Sequence, residues 1–461
     1  MTDVATIFAE QVTLTQLVQN LLYASGTVGA IFVVVGLLLI DAGGVRRRNS
    51  FNATIEKLVG FFIGFTTYFV IGFALWAAQY YVMEGYTLMD CIKDWWAGGA
   101  MANSLAPWVD PAVFPALNNF QIFIFFLATF AGIANMLVHF AVSERMKPSA
   151  FYVTCVVTTL VTSLVSQWTW GSVGLLTNLG FHDFFGMSFL YLIPAGMAMV
   201  FARTLRERPG IFTPHPGVKT YVVPNLALVT VGIAMIFASL PLVIMSCLFF
   251  FEPGALAVSV TMADTSIGIA INNYGAAWAG GALTGAILAY WKRKYSYLVL
   301  GPMAGYVSGA PGFDVYLPWQ VFFVAMGAPI VSYFVYEMMQ KVRIDEHKLI
   351  PLFAGAGSYG LIMVGLLYAG TPRGGYFGIT EGPYAFQHGE IGVGMQLAGI
   401  VVCLGAGIVT AMVLSFVLKR TIGMEVSDED QAEGLDKVYW DIEQDVETPA
   451  ESSKAALIKE A

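Results

Sequence analysis

The chain has 461 residues, a mean hydropathy of +0.69, 57% hydrophobic residues and only 12% charged ones. A soluble domain carries about 25% charged residues, so the composition excludes a large soluble domain and implies a polytopic membrane protein. The net charge of −8 sits at one end: residues 421–461 hold 12 acidic and 3 basic residues, against 19 and 20 in the rest, which argues against a nucleic-acid partner.

The first 16 residues contain Asp3 and Glu10 and no basic residue, unlike the charged start of a signal peptide. Residues 1–17 are therefore expected as an external N-terminus before a retained helix. A spanning helix needs about 20 apolar residues. Eleven segments qualify, at 18–42, 58–82, 120–142, 149–169, 183–203, 222–251, 260–291, 296–312, 317–339, 349–370 and 391–418. They predict an all-α integral membrane protein with an eleven-helix membrane domain over 18–420 and an acidic tail over 421–461. The stretches after spans 1, 3, 5, 7 and 9, with the end of span 11, hold 18 of the 23 Lys and Arg. The opposite loops hold Lys93 and Arg373. By the positive-inside rule the N-terminus is external and the C-terminus cytoplasmic. Five spans, five more and one extra suit inverted repeats followed by an eleventh helix.

Glycines inside spans, as in Gly280-Gly281 and Gly285, read as close helix contacts, with a glycine-lined pore wall as the other reading. Cys155, Cys247 and Cys403 fall in apolar spans and Cys91 in a loop. They show no metal-ligand spacing and read as small hydrophobes. No metal cluster, phosphate-binding loop or nucleophile–base pair is visible, so neither a cofactor nor an enzyme is expected.

Several short motifs then stand out in order. They are DAGGVRRRN (41–49), SERMKPSA (143–150), WTWGSVGLL (168–176), GFHDFFGMSFLYLIPAG (180–196) and AEGLD (432–436). Each is weak alone. Together, on an eleven-span frame, they resemble the ammonium transporter (Amt/Mep/Rh) superfamily over about residues 18–440. The resemblance implies a homotrimeric channel for ammonium or ammonia in the lipid bilayer, at the inner (plasma) membrane of a bacterium. It implies that Phe130 and Phe251 gate the external pore mouth and that Trp170 belongs to the outer vestibule. Ala255 stands where a vestibule serine is common, and Glu252 ends span 6 beside it. Glu252 reads as a loop carboxylate at the water boundary or as a vestibule acid that attracts cations. Asp183 is implied as a structural acid, and Glu433, Gly434, Leu435 and Asp436 as a tail segment packed under the cytoplasmic face. In the family such tails link subunits and can meet a PII-type protein. Here Trp440-Asp441-Ile442 replaces the family's His-Gly-Glu.

The centre departs from the family. Tyr191 stands where the first pore histidine is usual, and Ala354, on KVRIDEHKLIPLFAGAG (341–357), where the second is. Eight residues past Asp183, Tyr191 lies about 12 Å deep, near the middle of a core about 30 Å thick. Two imidazoles there could relay a proton. A tyrosine of pKa about 10 and an alanine cannot. Tyr191 is either a packed core aromatic, with Phe185 and Met187 tightening the same region, or a polar stop in a narrow lumen. Asp183, at a helix start, fits a cap better than a cation ligand. Phe130, Trp170 and Phe251 are the right residue types for a cation–π cage, and ordinary aromatics of a membrane interface are the other reading. His139, near the inner end of span 3, reads as a satisfied histidine rather than a ligand.

Two functions follow. One is an ammonium-transporter-like channel that passes ammonia, or another small neutral molecule such as methylamine or carbon dioxide, without a twin-histidine relay. The other is a non-conducting homologue acting as a sensor or as an accessory subunit of a larger membrane complex.

Overall fold

The computed structural model describes residues 14–104, 117–171, 174–213, 223–248, 250–251, 259–260, 265–371 and 389–442. Helices occupy all eleven expected spans. They are α1 (Leu14–Gly44), α2 (Arg47–Met83), α3 (Leu117–Val142), α4 (Pro148–Thr169), α5 (Ser188–Thr204) and α6 (Leu226–Ser246). Then come α7 (Ile267–Lys292), α8 (Ser296–Gly309), α9 (Pro318–Lys341), α10 (Ile350–Leu367) and α11 (Val393–Arg420). Among the described residues, eight of these are long and apolar enough to cross a membrane. The others are α5 and α8, which are shorter, and α7, which has 26 residues but carries Asn272, Asn273, Tyr274 and Trp278.

Four boundaries differ from the expectation by five residues or more. Helix α7 begins at Ile267 rather than 260, where Ser266 caps it and Ser259–Val260 pair as a strand. The other three also have local reasons. Helix α2 begins well before residue 58, because Glu56 and Lys57 lower the hydropathy of a stretch that is nonetheless helical and buried. Helix α5 begins at Ser188, five residues after Asp183. Gly186 turns the chain there with φ +71°, a left-handed conformation in which a β-carbon would also strike the Phe189 ring. Helix α6 ends at Ser246, and the chain beyond it forms a two-residue strand, Phe250–Phe251, paired antiparallel with Ser259–Val260. Cys91 lies not in a loop but in a short helix, Leu88–Trp95, where it is buried against the Ala74 carbonyl. All four cysteines are free and buried.

Packing follows the small residues. α1 lies along α6, with Gly36 against the Gly232 carbonyl. α7 crosses α8 where Gly281 meets Gly301 and Gly305, so closely that a β-carbon on Gly281 would overlap the Gly301 carbonyl. Close backbone approach replaces the hydrophobic drive that is missing in lipid. α3 and the first turns of α5 are buried nearly all round and form the centre of the bundle. α9 and α11 present Phe323, Phe334, Val401 and Phe416 outward.

Candidate functional site

Two helices bring the central residues into place, and both open irregularly. α5 begins with a π-helical segment, Ser188–Leu192, and α10 with another, Ile350–Gly357. Each is preceded by a carboxylate that binds the free amides at the helix start. Asp183 accepts hydrogen bonds from the Met187 amide (2.9 Å), the Ser188 amide (2.6 Å) and the Ser188 hydroxyl (2.6 Å). Glu346 accepts from the amides of Lys348, Leu349 and Ile350 at 2.8–2.9 Å. Burial raises the pKa of both acids, and these donors oppose it. Exposed first-turn amides need such partners, so both acids act as caps. The loop before α5 is further held by His182, whose Nε2 meets Asp314 at 3.0 Å.

π-Helical segments re-aim side chains, and here they point neighbouring residues into different spaces. Phe189 and Leu190 line a small cavity of about 20 Å³ together with Phe130 and Trp170. That is room for one water-sized molecule. Trp170 is buried there rather than open to solvent. Its ring lies 6.0 Å from Trp76 and 5.9 Å from Phe189, and its indole N–H donates to the Phe184 carbonyl. Phe130 packs edge-on against Phe126. Phe251 contributes backbone to the short strand pair, but its side chain, with Glu252 and Ala255, lies outside the described residues.

Tyr191 faces the other way, into a cavity of about 130 Å³ with a mostly apolar wall. This wall runs from Val33, Leu37 and Ile40 on α1 past Phe140 on α3 to His347 and Lys348 beside α10. One end of this cavity is closed by rings. Tyr191 stacks on Phe353, with centroids 4.6 Å apart and planes 17° apart. Its hydroxyl shares a hydrogen bond of 2.9 Å with the Tyr306 hydroxyl. Phe185 packs edge-on against Tyr306, and Trp278 stacks on it. Met187 is fully buried. The residue against Tyr191 is thus Phe353, not the half-buried Ala354 next to it. An alignment counts residues, whereas a π-helical turn changes which of them faces inward. Tyr306 and Phe353 carried no sequence signal of their own. The nearest hint was the aromatic run around Tyr191.

Next to His347 and Lys348 lies an ionic layer. Arg208 binds Asp345 through two guanidinium nitrogens, at 2.9 and 2.6 Å, and reaches Glu144 at 3.2 Å. Burial works against ionised Asp345, but Arg208 and then Arg145 overcome it and hold the carboxyl well below the usual range. Burial, with Arg208 and Lys348 nearby, pushes His347 down to about 3. Burial also lowers Lys348. The tail joins this layer. The Leu435 amide donates to Asn49, and Asp436 accepts from the amides of Phe51 and Asn52 at 3.1 and 2.7 Å. Gly434 (φ +108°) packs against Arg48, and Glu433 pairs with Lys437 at 3.1 Å. Trp440 packs edge-on against Phe51 and donates to Asn52.

The family model for the Ammonium Transporter Family matches residues 21–444, nearly the whole chain. The chain belongs to the ammonium transporter family. Among curated relatives, it is 24% identical to ammonium transporter Amt2 of Archaeoglobus fulgidus over 426 residues, covering 88% of this chain and 83% of that one. It is 24% identical to the ammonium transporter of Bacillus subtilis over 415 residues, covering 87% and 92%. Among solved structures it is similar to a sensor Amt protein, with a TM-score of 0.71 at 18% identity over 93% of this chain and 99% of that one. It is also similar to Mep2 of Saccharomyces cerevisiae, with a TM-score of 0.67 at 16% identity over 89% and 90%. At these identities the structures establish the fold. Within the ammonium transporter fold, this chain has an integral membrane bundle whose waist is lined by phenol and phenyl rings. Among the described residues, no group of His, Cys, Asp and Glu has the arrangement of a metal site.

Proposed function

We propose that the chain is a channel for ammonia or another small neutral molecule, such as methylamine or carbon dioxide, that crosses without a histidine relay at its waist. The observation that carries this reading is the mostly apolar cavity of about 130 Å³ that Tyr191, Tyr306 and Phe353 line and that runs to Lys348. Tyr191 and Phe353 are then a gate that must part for passage. A naked cation finds no compensating group in this apolar wall, and unpaired charge there is costly. A neutral molecule meets no such barrier.

The finer architecture follows the same reading: eleven crossings, inverted five-helix repeats plus one helix, a homotrimer, an external N-terminus and a cytoplasmic tail. The matching π-helical openings of α5 and α10, each with its carboxylate cap, support the repeat. The tail contacts of residues 433–436 support a regulatory role under the cytoplasmic face, where a PII-type protein is a candidate partner. Uptake of labelled methylammonium by cells lacking their own transporters tests the channel. Uptake above background is expected, and none from a correctly inserted protein sinks the reading.

The packed waist also favours a second reading, a non-conducting sensor or accessory subunit. One structural neighbour is called a sensor. Co-purification in a larger assembly, combined with absent uptake, would select this second role.

A further inference from the structure

Behind the wall of the inner cavity lies a group of charges that the channel reading does not use. Asp41 of α1, Glu56 and Lys57 of α2 and His139 of α3 are buried together. Lys57 Nζ lies 2.6 Å and His139 Nδ1 3.0 Å from the same atom, Asp41 Oδ2. The other ring nitrogen, His139 Nε2, lies 3.5 Å from Glu56 Oε2. Ionisable side chains inside a membrane domain are costly and mark functional sites. As a clamp between helices alone, apolar residues would serve at least as well.

Resting on the channel reading, we propose that His139 and Glu56 form a proton-exchange site, poised by Asp41 and Lys57, that serves the inner half of the lumen. A neutral imidazole donates through only one nitrogen. Nδ1–H is committed to Asp41, so Nε2 confronts the Glu56 carboxylate and one proton belongs between them. With that proton on His139, the four side chains comprise two anions and two cations. With it on Glu56, they comprise one anion, Asp41, and one cation, Lys57. Both arrangements are neutral, so the proton changes sides without leaving a net buried charge. The transfer breaks one N–H bond and forms one O–H bond, and needs no co-reactant.

The site has a connection on each side. Toward the cytoplasmic tail, Glu56 accepts from Asn52, which in turn accepts from the Trp440 indole. Toward the lumen, the next residue after His139 is Phe140, which lines the inner cavity. Lys57 Nζ stands 3.1 Å and Lys348 Nζ 4.6 Å from the centre of the Phe140 ring. Among the described residues Asp41 Oδ1 has no hydrogen-bond partner, so it can engage a relaying water or an arriving amine. The other ionisable groups that face the site are Tyr152 and Cys155 of α4, Tyr439 of the tail and Lys348 beside α10.

The test uses the full-length protein in liposomes, with ammonia entry read as internal alkalinisation. Wild type is expected to exceed protein-free liposomes. Glu56→Gln and His139→Gln are expected to lower that flux about tenfold at equal amounts of inserted protein, as loss of a positioned proton carrier does. Wild-type flux in both variants overturns the site. Glu56→Gln is nearly isosteric and covers the case in which His139→Gln misfolds. A second readout needs no transport. In ¹⁵N-histidine-labelled wild type, Nε2 of His139 should resonate between the protonated and the bare limits, because its proton is shared with Glu56. A signal at either limit is a proton locked on one side and overturns the proposal. Absent ammonia flux in wild type overturns the channel reading instead, and the ¹⁵N result then decides the site on its own.

Discussion

Tyr191 is held on two sides, by the Phe353 face and by the Tyr306 hydroxyl. Stacking of this kind adds about 0.5–1.5 kcal/mol beyond area burial, and a buried hydrogen bond about 1 kcal/mol. If the pair is the gate proposed, contacts of that strength would let it open thermally. Tyr306→Phe removes only the hydrogen bond, so it should raise methylammonium uptake modestly and leave the fold intact. Uptake equal to wild type would mean that this bond does not hold the gate. Asp183 behaves differently. Its carboxylate serves three donors at the start of α5, and leaving buried donors unmet costs about 1–3 kcal/mol each. Asp183→Ala should therefore lower the melting temperature and the yield of folded protein. An unaltered melting curve would show that these amides find other partners. The acid was legible in the sequence as a helix-start residue. Its true reach, four and five residues forward across Gly186, was not, because that turn exists only once the chain has folded.

Among the elements, the spans were legible because lipid demands long apolar runs, and all eleven expected segments are helical. What escaped were places where charge or non-local packing overrides hydropathy. Glu56 and Lys57 hid the first turns of α2, and Phe353 displaced Ala354 because α10 opens with a π-helical segment. The α7–α8 crossing has no room for a side chain at Gly281, so Gly281→Leu should abolish folded protein in detergent extracts. A normal elution profile would contradict that packing. The loop before α10 sets a pH dependence. His347 has its pKa lowered to about 3 and Asp345 has its own lowered further. Both folded values lie below the unfolded ones, so both groups stabilise at high pH and lose that contribution as pH falls. The loss begins below about pH 6.5 through His347 and continues below about pH 4 through Asp345. Melting temperatures should decline across that range, and His347→Gln should flatten the upper part. A flat wild-type profile would contradict the assignment.

At the scale of the whole molecule, the chain keeps the ammonium transporter frame and closes its waist with aromatic rings. Buried charge is concentrated instead toward the tail-side ends of the helices, in the Arg208–Asp345 layer and around Asp41 and His139. The acidic tail joins that layer through Asp436. Asp436→Ala should release the tail, read as faster limited proteolysis after residue 421, and unchanged cleavage would argue that the remaining contacts suffice. The central claim is that Tyr191 and Phe353 are a gate in a continuous path. Ammonia flux into liposomes holding wild type or the Tyr191→Ala/Phe353→Ala double variant tests it most directly. Wild type should exceed protein-free liposomes, and the double variant should run several-fold faster. If both stay at the protein-free rate with folded, inserted protein, the path is not continuous and the channel account fails.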